Sequence, residues 1–300
     1  MKIMFIALWV LVSMNCAAQE SIQFDAVVDG ATRKVQAVFN KPKTASDKKW
    51  PAVVLMHSSG GDRDGTTGPM AKALNDNGIA SLEIKLFTIP MSGPLFENVN
   101  AVYFNALKYL NARGDVDGSK VGIAGYSYGA FGSLFTATQW VAQTYGAGLK
   151  FAAHAPIYVG SCWLFTHWAR GEAAPNFRGL PYPQDFATRW TGAPVKIFAA
   201  GKDDYDDRDP QACAQFIAAV PAEFRSSFEL VVYPDATHGW NQQSRSFPAK
   251  GACKGRGCMN HNVNNPAVSA KNNEEVVQFF LSKLVAAPGL PTDPQRGARD

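Results

Sequence analysis

The sequence predicts an α/β protein built on a doubly wound, mostly parallel sheet with helices on both faces. Three observations predict it. Six short, largely apolar runs (Ala52–Met56, Ile79–Ile84, Val121–Ala124, Phe151–Ile157, Val195–Ala199 and Phe228–Tyr233) read as strands buried on both faces. Segments with helical spacing separate them, and strands alternating with helices imply parallel pairing. The run Val121–Ala124 leads directly into Gly125-Tyr126-Ser127-Tyr128-Gly129, with a further helical segment behind it.

In chain order, the first element is a leader. Lys2 provides a short basic start, Ile3–Met14 is almost wholly apolar, and Cys16-Ala17-Ala18 offers small residues at a cleavage position. Residues 1–18 are therefore predicted to be a signal peptide, cut after Ala18. The apolar run is too short to cross a bilayer, which takes about 20 such residues, and no later stretch suits a membrane span. The mature domain is predicted over residues 19–287. Ile22–Val28 and Lys34–Phe39 alternate as a hairpin around Asp29-Gly30 does, and Lys41–Lys49 is a polar loop.

Helices are predicted at Met70–Asp76, stopped by Asn77-Gly78, and at Val99–Asn111, stopped before Gly114. Others are predicted at Tyr128–Trp140, at Pro210–Val220 with its proline in the first turn, and at Ser269–Val285. Two stretches break the alternation. Residues 160–192 form a Trp- and Pro-rich insertion, and residues 242–266 form a polar loop with two cysteines. Loops of that length inside a domain are usually functional or cover something. Residues 288–300, rich in Pro, Gly and Arg, are predicted to be a disordered tail.

Composition excludes some partners. The formal net charge of the 300 residues is +4, and loss of Lys2 with the leader lowers it by one. That balance, without any Lys/Arg run, implies neither nucleic acid nor an anionic membrane as partner. Cys16 leaves with the leader. The remaining Cys162, Cys213, Cys253 and Cys258 are an even set, which permits two disulfides in an exported, periplasmic or secreted protein.

The chemistry concentrates around Ser127. A buried strand, Gly-x-Ser-x-Gly and a helix make a nucleophile elbow, the strained turn that presents a serine at the top of an α/β-hydrolase sheet. A serine needs an adjacent base. His238, in Tyr233-Pro-Asp-Ala-Thr-His-Gly239, follows a predicted strand and fits the chain order Ser, acid, His. The other histidines, His57, His154, His167 and His261, read as structural, packed or solvated. The orienting acid must leave a strand end between Ser127 and His238, so it falls in Gly201-Lys-Asp-Asp204. Asp204 is the preferred residue, with Asp203 and Asp206 next. The strand Ala52–Met56 ends in His57-Ser-Ser-Gly-Gly61, where this fold draws one oxyanion donor, so the N–H groups of Ser59 and Tyr128 are the predicted pair. Trp163, Phe165, Trp168 and Trp240 are candidates to line an apolar substrate cleft; packing of the insertion onto the sheet is the alternative for them.

Together, His57–Gly61, Gly125–Gly129, Gly201–Asp204 and Tyr233–Gly239 resemble the dienelactone hydrolase family, over roughly Ile22 to Leu284. The resemblance supports Asp204, because the family's acid falls three residues after the glycine. The namesake enzymes carry cysteine in the elbow where this chain has Ser127, so dienelactone is not carried over as substrate. Related members have cysteines at the places of Cys162 and Cys213, which implies that this pair lies close. Cys253 and Cys258, five apart in a glycine-bearing loop, make the other expected pair. Zinc held by these two with His261 is disfavoured by the lysine and arginine between them. The expected activity is hydrolysis of a small-molecule ester or lactone, with no metal or organic cofactor, by a monomer or homodimer. The alternatives are a peptidase or acyltransferase on the same residues, and a non-catalytic binding protein that keeps the fold.

Overall fold

The computed structural model describes residues 19–28, 30–43, 48–89, 95–177 and 182–285. The expected leader (1–18), the expected tail (288–300), Asp29 of the expected hairpin turn and residues 44–47 of the polar loop lie outside the described residues. The elements run β1 (Gln19–Val28), β2 (Ala31–Asn40), β3 (Trp50–Met56), α1 (Thr67–Asp76), β4 (Ala80–Ile84), α2 (Leu95–Ala112), β5 (Val116–Tyr126), α3 (Tyr128–Ala137), α4 (Gln139–Tyr145), β6 (Ala153–Ile157) and α5 (Cys162–Ala169). They continue with β7 (Val195–Ala200), α6 (Ala212–Ala219), α7 (Ala222–Arg225), β8 (Phe228–Tyr233), β9 (Arg245–Ala249), β10 (Cys258–Asn262) and α8 (Pro266–Phe280).

Among the described residues, eight strands form one sheet in the order β1-β2-β4-β3-β5-β6-β7-β8. The β1–β2 hairpin is antiparallel and joins β4 antiparallel, and every pair from β4 to β8 is parallel. The continuous apolar runs have the cause expected of them, since both faces of the central strands are buried. Along β3, Ala52, Val54 and Met56 join one core while Val53 and Leu55 join the other. The first core is closed by apolar residues of α2 to α6, such as Val102, Leu134, Phe165 and Phe216. The second is closed by Met70 and Leu74 of α1 and by Val276, Val277 and Phe280 of α8. Every strand from β3 to β8, being parallel to its neighbours, points its C-terminal end at one edge, where loops carry function in sheets of this kind.

Three elements depart from expectation. The helix predicted over Tyr128–Trp140 breaks at Thr138, whose backbone turns extended and whose hydroxyl accepts the Val141 N–H, starting α4 afresh. The Trp-rich insertion contains a real helix, α5. The cysteine loop contains the antiparallel hairpin β9–β10, paired from Cys258↔Ala249 to Asn262↔Arg245. Cys162 is bonded to Cys213, tying α5 to α6, and Cys253 is bonded to Cys258 across the hairpin's tip. Among the described residues no helix is long and apolar enough to cross a membrane.

Candidate active site

The end of β5 forces the chain into a tight corner. Ser127 sits at φ 51° and ψ −107°, a conformation rare for a residue with a side chain. Its N–H donates to the Ile157 carbonyl at 3.0 Å, which holds the corner against β6. Gly125 and Gly129 make the corner possible. A Cβ on Gly129 would stand 2.7 Å from the Met56 carbonyl oxygen, and one on Gly125 would run into the Gly129 carbonyl. Directly after the corner α3 begins, so its N-terminal end, which favours negative charge, opens beside the Ser127 hydroxyl.

Ser127 Oγ lies 2.7 Å from His238 Nε2. His238 Nδ1 in turn lies 2.9 Å from Asp203 Oδ2. Serine, acid and histidine thus come from the ends of β5, β7 and β8, all at the same edge of the sheet. His238 and Asp203 are both nearly inaccessible, at 4% and 3% exposure. The imidazole is packed between the Tyr158 and Tyr205 rings, with centroids 5.1 and 4.7 Å away. Gly160 closes the remaining side, where a Cβ would stand 2.6 Å from His238 Cε1.

The carboxylate against His238 is Asp203, not Asp204, and the cause is local. Asp203 is extended and precedes a single 3-10 turn, Asp204–Asp206; as its cap, it accepts the Tyr205 N–H at 3.0 Å with one oxygen. The other oxygen faces His238. Asp204, the first residue inside the turn, is rotated away toward β10. There its carboxylate accepts from Arg208 Nε at 2.7 Å and from the His261 main-chain N–H at 2.7 Å, and it also meets His261 Nδ1 at 2.9 Å. Burial alone would raise the Asp204 pKa, but Arg208 and His261 hold it below the ordinary carboxylate range. Asp206 points a third way. Its oxygens accept the N–H groups of Cys162 and Trp163 at 3.1 and 3.0 Å, capping α5. Complete burial, with the charge of Asp203 nearby, pushes its pKa up to about 7.

The other histidines separate cleanly. His57 is buried, with Nε2 accepting the Leu86 N–H at 3.1 Å and Nδ1 2.7 Å from the Ser58 carbonyl. Burial lowers its pKa, so the neutral ring is a structural part of the β3 loop. His154 is fully buried against the Ser133 carbonyl, and burial lowers its pKa to about 4. His167 meets Glu172. His261, read from the sequence as solvated, is instead held by Asp204.

A cleft of about 970 Å³, open mouth included, lies over Ser127 and His238. Ser59 and Tyr128 border it, together with Phe131, Leu164, Phe177, Tyr205 and Lys250. Of the four aromatic candidates only Trp163 reaches it. Trp163 and Leu164 of α5 line the cleft, whereas Phe165 and Trp168 do not. Phe165 packs on Phe131, Phe135 and Phe216, and Trp168 on Phe177 and Phe186. Trp240 is wholly buried in the second core, against Tyr158 and Tyr233. Among the described residues, Cys162, Asp206 and Cys213 bring potential metal-ligand atoms together, but both sulfurs are committed to the disulfide.

A parallel sheet of this order, with a strained strand-to-helix serine whose partners arrive from two later strand ends, defines an α/β-hydrolase. Within that class the chain belongs to the dienelactone hydrolase family, whose model matches residues 84–284, about two-thirds of the chain. It is a hydrolase by that membership. Among solved structures it is similar to a dienelactone hydrolase from Anabaena variabilis, at 16% identity and a TM-score of 0.54, covering 89% of this chain and 99% of the other. It is similar also to Est1E from Butyrivibrio proteoclasticus, at 16% identity and a TM-score of 0.54, covering 88% and 99%. The Pyrococcus horikoshii acylaminoacyl peptidase, at 14% identity and a TM-score of 0.58, is matched over 93% of this chain but 44% of its own. No curated protein matches.

Proposed function

We propose that the protein is a serine carboxylester hydrolase that cleaves ester or lactone bonds through an acyl-enzyme on Ser127. The observation that carries this reading is the unbroken chain Ser127–His238–Asp203, bonded at 2.7 and 2.9 Å, beneath an apolar-walled cleft. Ser127 Oγ attacks the carbonyl carbon while His238 Nε2 takes its proton. Asp203 holds the ring with Nδ1 protonated and stabilises the imidazolium that forms. The N–H groups of Ser59 and Tyr128 hold the oxyanion, a role each worth about 10²–10³ in rate. His238 then protonates the leaving alcohol, and water, activated by the same nitrogen, releases the acid.

Residues 1–18 act as an export signal in this reading, and the two disulfides fit the oxidising compartment it leads to.

The test is labelling of the mature protein with a fluorophosphonate, peptide mapping, and a panel of aryl esters, lactones and amides. The expected result is label on Ser127, absent in Ser127→Ala and strongly reduced in His238→Ala, with turnover of esters or lactones. Label without ester or lactone turnover, but with amide cleavage, would make the protein a peptidase. Absence of label on folded protein would leave it a binding protein of the same fold.

A further inference from the structure

The mechanism does not use Asp204, yet few side chains here are held as tightly. Its carboxylate is nearly inaccessible and receives three contacts, two of them from His261 on β10. Its carbonyl accepts the Cys253 N–H at 2.8 Å, and the next carbonyl, of Tyr205, accepts the Lys254 N–H at 3.1 Å. Asp204 therefore grips the β9–β10 hairpin twice, at its C-terminal strand by side chain and at its disulfide-closed tip by main chain. Two further ion pairs, Arg256 with Asp207 and Lys254 with Asp209, lie along the same seam.

The hairpin matters because its tip forms part of the cleft. Lys250, Gly251 and Gly255 line the cleft. The tip also closes on both neighbouring walls. A Cβ on Gly251 would stand 3.4 Å from the Tyr205 ring, and one on Gly255 would stand 3.1 Å from Asn176 and 3.4 Å from the Trp163 ring. Both tip glycines thus lie within van der Waals reach of a ring, and Gly255, at φ 78°, adopts a backbone conformation that favours glycine.

We propose that Asp204 is a specificity-determining positioning residue, locking the hairpin tip onto the acid turn so that Lys250, Gly251 and Gly255 form a fixed cleft wall that selects extended acyl groups. The substrate half of this rests on the ester-hydrolase reading; the anchoring half does not. Asp204 touches neither the scissile bond nor His238. Its loss acts on the binding of the part of the substrate that runs along the wall, and so on KM for long acyl groups more than on kcat.

Two arms test it in wild type, Asp204→Asn and Asp204→Ala. The first is amide hydrogen exchange of the intact protein, which needs no substrate. Faster exchange confined to the segment 249–262 is expected, greater in the alanine variant because asparagine still offers one acceptor to the His261 N–H. Unchanged exchange there, or a rise spread over the whole sheet, would overturn the anchor. The second arm compares p-nitrophenyl acetate with p-nitrophenyl octanoate. The ratio of kcat/KM for octanoate over acetate should fall about tenfold in Asp204→Ala, the scale of one lost charged hydrogen bond, mainly through KM, with partial rescue in Asp204→Asn. Equal loss on both esters would overturn the selectivity. Local exchange that rises in a wild-type background turning over neither ester would sink the ester-hydrolase reading, and selectivity with it, while the anchor stands.

Discussion

Three aspartates within four positions do three different jobs, and what separates them is a single 3-10 turn. Asp203 caps the turn and faces His238, Asp204 begins it and faces β10, and Asp206 ends it and faces α5. From the sequence these residues were one acidic run after a predicted strand. The run was legible as the place from which a carboxylate could meet His238, but which residue does so depends on a backbone turn that no residue type dictates. Substitution tells them apart. Asp203→Asn should lower kcat by about 10⁴, because the wrong imidazole tautomer is then held; Asp204→Asn should leave kcat on p-nitrophenyl acetate within a few-fold.

Asp206 makes a different prediction. Its protonated form is favoured in the fold, with a pKa raised from 3.8 to about 7. Native protein thus keeps a proton that the unfolded chain gives up between these values, and stability falls as pH rises through that window. The penalty amounts to about 1.4 kcal/mol per unit of separation and is complete above about pH 7. Asp206→Asn lacks the ionisation. The gap between wild-type and variant unfolding free energies, measured by urea at pH 5 and pH 8, should move in the variant's favour at the higher pH. A constant gap would mean that Asp206 titrates normally.

At the level of elements, the parallel strands and the elbow were readable because their signals are repetitive or strict. Alternate residues of β3 enter opposite cores, so the strand had to be apolar throughout, and Gly125 and Gly129 leave no room for a side chain. A Gly129→Ala change should cost about 1–3 kcal/mol through the Met56 and His57 carbonyls that its methyl would meet, seen as a lower urea midpoint. The elements that were missed carry no such signal. β9–β10 is held by a disulfide and by buried polar residues, among them Asn260 and Asn262, not by alternating apolar ones. α5 has eight residues and is apolar nearly all round, so the side that faces the cleft was not apparent, and two of its three aromatic candidates, Phe165 and Trp168, proved to be core.

For the molecule as a whole, the two disulfides should differ in weight. Cys162–Cys213 closes a stretch of 51 residues, whereas Cys253–Cys258 spans five. Loop-closure entropy assigns about 4 kcal/mol to the first and about 2 to the second. Paired serine replacements should therefore lower the denaturant midpoint about twice as far at 162 and 213 as at 253 and 258. Equal losses would show that the tip bridge acts through the hairpin's packing and not through the unfolded chain.

The wide spacing of the active residues also sets an order in time. Ser127 precedes its histidine by 111 residues, and Asp203 precedes the same histidine by 35. Chains are made from the N-terminus, so the elbow and its glycines exist well before any base can reach the hydroxyl. In the proposed mechanism a nascent or truncated chain ending anywhere before His238 carries an ordinary alcohol at position 127. In that mechanism the growing polypeptide is thus chemically silent until His238 has been made.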